Sequence, residues 1–163
     1  LESVETNYPG NVALVMIQFP TPFGVKEYGN PQLPCISEHG FMVTKELLAV
    51  SKRLLECSHG KLLLQSNCED VAVMMRDMAE NEAEFEIVNI PSPVQTFSEA
   101  SDGSLRIPQR SSDWIQSGGK RAKGNGWSRK PLLPACGATE TEVSCFLNKT
   151  PIHRCLLQPI FFN

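Results

Sequence analysis

Residues 12–23, Val-Ala-Leu-Val-Met-Ile-Gln-Phe-Pro-Thr-Pro-Phe, constrain the fold more than any other stretch: an uncharged apolar run stops abruptly at two prolines. Such a run fits a strand buried on both faces of a parallel sheet. The prolines carry the chain off the strand's carboxyl end, where open α/β sheets place their ligands. Phe19 to Phe23 is therefore the first candidate site.

Apolar residues make up 41% of the 163 positions and charged residues 20%, values that allow one ordinary core. A net charge of −3 gives no global attraction to nucleic acid or anionic membrane, so any such attraction needs a local patch. No run approaches the ~18 apolar residues of a membrane span, and the first residues lack a signal-peptide pattern. The cysteines at 35, 57, 68, 136, 145 and 155 form no C-x-x-C pair and have no histidine at ligand spacing, so no metal is expected. Buried thiols in an intracellular, reducing compartment are the simpler reading. The sequon at Asn148-Lys149-Thr150 carries little weight without secretion.

A polar lead, Leu1 to Asn11, precedes the first strand, and residues 20–42 read as a long loop. Val43, Leu47, Val50 and Leu54 recur at helical spacing, with Thr44 as N-cap and Ser58-His59-Gly60 as the stop. Lys61 to Gln65 reads as a Leu-rich strand, joined to the first by a parallel crossover. Ser66 or Asn67 can cap a second helix whose apolar stripe is Val71, Met74, Met75 and Met78. Seven acids against the single base Arg76 over residues 69–86 read as a solvated helix face. Phe85 to Ile90 reads as a third strand and Ile152 to Phe162 as the last. Residues 91–130 form an irregular insertion rich in Ser, Gly, Pro and Gln. The order predicts the carboxyl-terminal half of a Rossmann-like α/β sheet, a single partial domain over 1–163. No Gly-x-Gly strand-to-helix turn occurs to cradle a nucleotide cofactor.

The order of short motifs goes further. Phe19-Pro20-Thr21-Pro22-Phe23 resembles the Phe-Pro-Asp-Pro-Trp segment of the tRNA (guanine-N7-)-methyltransferases. Gly60-Lys61-Leu62-Leu63-Leu64-Gln65-Ser66-Asn67 resembles that family's Gly-Gly-x-(apolar)-x-Thr-Asp segment, and Thr139-Glu140-Thr141-Glu142 its Thr-x-x-Glu motif. The resemblance implies a class I methyltransferase sheet, mostly parallel with an antiparallel last strand. It implies methyl transfer from S-adenosylmethionine to guanine N7 of tRNA in the complete protein. The main cofactor-binding half lies outside these residues, so the chain alone is expected to be inactive.

Residue by residue, the resemblance puts Thr21 at the family's catalytic Asp and Asn67 at its second acid. Thr139 and Glu142 fall on the motif that holds the target guanine near the cofactor. Phe19, Pro20 and Thr139 are implied at the cofactor, and Lys26 lies one step from a substrate-binding lysine of the family. The two acids are replaced by neutral groups, which supply neither negative charge nor the same acceptor pair. An alternative is therefore a catalytically inactive methyltransferase-fold module that binds RNA or protein. A third reading is a methyltransferase acting on another substrate.

Other features carry two readings each. Thr139-x-x-Glu142 is also a capping box, Asn67 also a plain N-cap, and Thr21 also a turn residue between prolines. His39 reads as a solvated loop residue or an acid–base group. Lys120, Arg121, Lys123, Arg129 and Lys130 surround Trp127 with no acid among them, a pattern for RNA contacts or for a solvated linker. An open sheet edge beside residues 12–19 predicts self-association or cover by the absent amino-terminal half.

Overall fold

The computed structural model describes residues 2–20, 41–88, 121–128, 131–132, 138–148 and 150–161. Helix α1 (Glu2–Asn7) leads into strand β1 (Leu14–Gln18). Helix α2 (Lys45–Glu56), strand β2 (Lys61–Ser66), helix α3 (Glu69–Glu82) and strand β3 (Phe85–Ile87) follow. Strand β4 (Trp127–Ser128), helix α4 (Glu140–Leu147) and strand β5 (His153–Pro159) complete the described elements. The fold is α/β, built on one mixed five-stranded sheet in the order β1-β2-β5-β3, with β4 also on β5.

Strands β1 and β2 pair in parallel, from Leu14↔Lys61 to Gln18↔Gln65, with the helical crossover that parallel neighbours require between them. Strand β5 runs antiparallel to β2, from Leu62↔Leu157 to Ser66↔His153. Its other edge pairs with β3 through Phe85↔Pro159 and with β4 through Trp127↔Cys155. Four strands thus share one direction and the last opposes them. Because β5 lies between β2 and β3, the β1–β2 ladder is the one parallel pairing among the described residues.

The core lies on one face of this sheet. Val15, Ile17, Leu62, Leu64, Cys155 and Leu157 project there at alternating positions, and Leu48 and Leu55 of α2 with Val71, Met75 and Ala79 of α3 pack onto them. The expected burial of residues 12–19 on both faces needs correction. Val15 and Ile17 are buried, but Leu14 is 38% exposed and Met16 49%. The cause is position: β1 is at the sheet's edge, and the core helices α2 and α3 pack against the Val15 face. The strand enclosed on both faces is β2, buried continuously from Leu62 to Ser66.

Helix α2 starts where expected, the Thr44 hydroxyl accepting the Leu47 N–H at 3.3 Å. Its buried face is Leu48, Val50, Ser51 and Leu55, so the expected Leu47 and Leu54 lie half-buried on the flank. Ser51 is tolerated inside because its hydroxyl donates to the Leu47 carbonyl at 2.8 Å. After the helix, the Gly60 N–H returns to the Leu55 carbonyl at 2.9 Å. A Cβ on Gly60 would meet the Val12 carbonyl oxygen and Leu55 at 2.6 Å, so only glycine lets the β2 entry pass this close. Helix α1, within the lead read as polar, is tied to α2 by Glu5 accepting from Arg53 at 2.6 and 3.0 Å.

Methionines 74 and 78 of the predicted α3 stripe are half-buried, and Ala72 and Ala79 take the deeper positions beside Val71 and Met75. Leu64→Ala should cost about 2–5 kcal/mol in urea unfolding, whereas Met16→Ala should stay within about 0.5 kcal/mol. Equal costs would contradict the one-sided burial of β1. Burial pushes the Cys155 thiol up to about 12 and also raises Cys145, while Cys57 is exposed. Under native conditions a thiol reagent should therefore modify Cys57 and spare Cys145 and Cys155 until unfolding, as read by peptide mass spectrometry.

Candidate functional site

At the carboxyl end of β1 and β2 one register row crosses the sheet face opposite the core: Gln18, Gln65, Arg154 and Ser128. The last rung of the β1–β2 ladder is the Phe19 N–H on the Gln65 carbonyl at 2.8 Å. Phe19 itself has a φ of 50°, a left-handed conformation that is strained for an aromatic residue and turns the chain into buried Pro20. Thr21, Lys26 and His39 lie outside the described residues.

The side chains of this row form a directional chain. Arg154 Nε donates to Gln65 Oε1 at 3.2 Å, and Gln65 Nε2 donates to Gln18 Oε1 at 3.0 Å. Gln18 Nε2 then points to the Met16 sulfur at 3.3 Å. In the other direction Arg154 donates to Glu142 Oε1 of α4, from Nε at 3.1 Å and from Nη2 at 2.5 Å. Gln65, Glu142 and Arg154 are at most 5% exposed. Burial lowers the Arg154 pKa, opposed by the hydrogen bond and charge of Glu142, which favour the guanidinium. Glu142 Oε2 is buried and has no hydrogen-bond partner among the described residues. An acceptor left so is costly, which makes this oxygen ready for a donor.

The Thr139–Glu142 motif resolves into two separate roles. Thr139 caps α4, its hydroxyl accepting the Glu142 N–H at 3.1 Å. The reciprocal half of a capping box would send the Glu142 carboxylate back to the cap, but here it turns to Arg154. Asn67 is not the cap of α3. That position is Cys68, whose N–H is received by the buried Ser66 hydroxyl at 3.1 Å, and Asn67 is exposed beside it.

A second cluster was not legible in the sequence. Glu69 Oε1 accepts the backbone N–H groups of Arg121 and Ala122 at 2.6 and 2.8 Å, and buried Asp70 pairs with the Arg121 guanidinium. Two acids read as a solvated face therefore pin the start of residues 121–128. At the other end Gly126, with a φ of +81°, lies so near Ile87 that an added Cβ would collide with its side chain. Trp127 packs against the core with Arg76 5.1 Å from its ring centre. Of the residues singled out for RNA contact, Arg121 and Trp127 are engaged within the fold and Lys123 is exposed. Lys120, Arg129 and Lys130 lie outside the described residues.

Among the described residues, no three His, Cys, Asp or Glu side chains are grouped to hold a metal, and no helix is long and apolar enough to cross a membrane. No family model, curated protein or solved structure matches the chain significantly.

Burial raises the Glu69 pKa, but the Ala122 and Arg121 N–H groups, with the charges of His153 and Arg121, outweigh it and hold the carboxyl below its ordinary value. A depressed folded value stabilises the protein above the unfolded value and loses that stabilisation as pH falls through the folded one. Stability measured in urea from about pH 6 to about pH 3 should fall less steeply in Glu69→Gln than in the unaltered chain. Parallel profiles would show that the carboxylate does not anchor residues 121–122.

Proposed function

We propose that this chain is the carboxyl-terminal portion of a tRNA (guanine-N7-)-methyltransferase homologue, with S-adenosylmethionine bound mainly by an upstream half. One observation carries the reading. The three stretches that resemble the family's motifs, separated widely in sequence, converge through Gln65: its carbonyl receives Phe19 N–H, it is followed by Ser66 and Asn67, and its side chain meets the Arg154 that holds Glu142. The sheet order supports the same reading, since the reversed last strand is the one expected in a class I methyltransferase sheet.

In this reading Glu142 receives N–H groups of the target guanine. Its carboxylate favours the positive charge that develops as N7 gains a methyl group. Thr139 fixes the first turn of α4 so that Glu142 faces the sheet. Phe19 and Pro20 shape the cofactor side of the cleft, and Lys123 with the neighbouring basic residues contacts tRNA phosphate. The neutral residues at Thr21 and Asn67 favour a second reading, an RNA-binding module of this fold without methyl transfer.

The test is methyl transfer from labelled S-adenosylmethionine to unmodified tRNA, with nucleosides identified by mass spectrometry. Residues 1–163 alone should bind tRNA without transferring methyl. The same chain preceded by its cofactor-binding half should form 7-methylguanosine, and Glu142→Gln should reduce that rate by about a hundredfold. RNA binding without any transfer by the longer protein would select the second reading. Absence of RNA binding would overturn both.

A further inference from the structure

We propose that Arg154 and Gln65 are positioning residues that hold the Glu142 carboxylate in one orientation, with Oε1 occupied and Oε2 presented to a ligand N–H. This inference rests on the reading of Glu142 as the group that receives the target base, and it assigns the parts that make Glu142 selective. Two donors of Arg154 converge on the same oxygen, Oε1, at 3.1 and 2.5 Å. Oε2 is left without a partner among the described residues. A planar guanidinium can turn to engage both carboxylate oxygens at once, an arrangement that would occupy Oε2 as well. Gln65 opposes that rotation. Its Oε1 draws Arg154 Nε at 3.2 Å, and its own amide is oriented by donation to Gln18 at 3.0 Å.

The chain of bonds therefore starts on β1, one residue before the Phe19–Pro20 bend, crosses β2 and β5, and ends on α4. It fixes the distance and direction between the bend and the free oxygen of Glu142. An ionised carboxylate oxygen accepts from the ring and exocyclic N–H groups of guanine, whereas adenine offers no ring N–H on that edge. Presentation of Oε2 consequently sets a preference for guanine over adenine.

The experiment measures binding of guanosine monophosphate and adenosine monophosphate to residues 1–163. The carboxyl carbon resonance of Glu142 is followed by NMR, and thermal unfolding is recorded for each variant. The unaltered chain should prefer the guanine nucleotide, which should move the Glu142 resonance. Gln65→Met keeps the volume and removes both side-chain bonds, so the preference should fall about tenfold in a chain that still unfolds cooperatively. Arg154→Lys retains the buried charge, which is all that a purely structural role needs, yet it lacks the Nε donor and should not restore the preference.

A guanine preference that survives both substitutions would overturn the positioning role alone. A chain without that preference would overturn the assignment of Glu142 and the inference with it. If either variant fails to fold, the Glu142 resonance of the unaltered chain still decides: no response to the guanine nucleotide sinks the proposal.

Discussion

The antiparallel return of β5 between β2 and β3 is the constraint on which the remaining architecture depends. Strands β2, β3 and β4 all bond to it, so three segments far apart in the sequence become one surface only when the last strand arrives. The same strand sends Cys155 and Leu157 into the core and Arg154 to the opposite face. One seven-residue strand therefore joins the apolar layer to the polar row. Pairing of this kind closes large loops, an entropic cost that the buried contacts on both faces of β5 have to offset.

The opposite faces of the sheet solve different problems. Beneath α2 and α3, methyl and methylene groups leave water with no directional demand, and approximate shape is enough for stability. On the other face, a buried guanidinium and carboxylate are tolerable only in combination, because either one alone would be an uncompensated charge. That mutual dependence fixes α4 against β5 through one ion pair. It also explains how the side chain of a capping motif can be recruited away from the cap. A backbone N–H near a helix start has solvent as an alternative partner, whereas buried Arg154 has few.

Periodicity made most of the regular structure legible. The helix over 45–56, the Leu-rich strand and the helix after it stand where apolar spacing puts them, and Thr44 caps as its residue type suggests. The degree of enclosure of β1 was not legible, because an apolar run records what its side chains prefer and not whether a neighbour covers them. Trp127 in a strand was equally obscure, since two paired residues carry no period. Within the candidate site, residue types at 19–20, 66–67 and 139–142 could be matched in order. The roles of Gln65 and Arg154 depend on cross-strand register, and a local pattern cannot supply that.

The Glu69 contact has a bearing on which substitutions the chain can absorb. Its carboxylate grips two main-chain amides, so that half of the anchor does not read the side chains at 121 and 122, whereas the Asp70 pair needs Arg121 and the buried position of Ala122 needs a small residue. Proline at either position removes the hydrogen that the Glu69 contact needs. Attachment at this point is therefore shared between main chain and side chain, and a change of charge at 121 leaves the two amide bonds in place while it removes the guanidinium paired with Asp70.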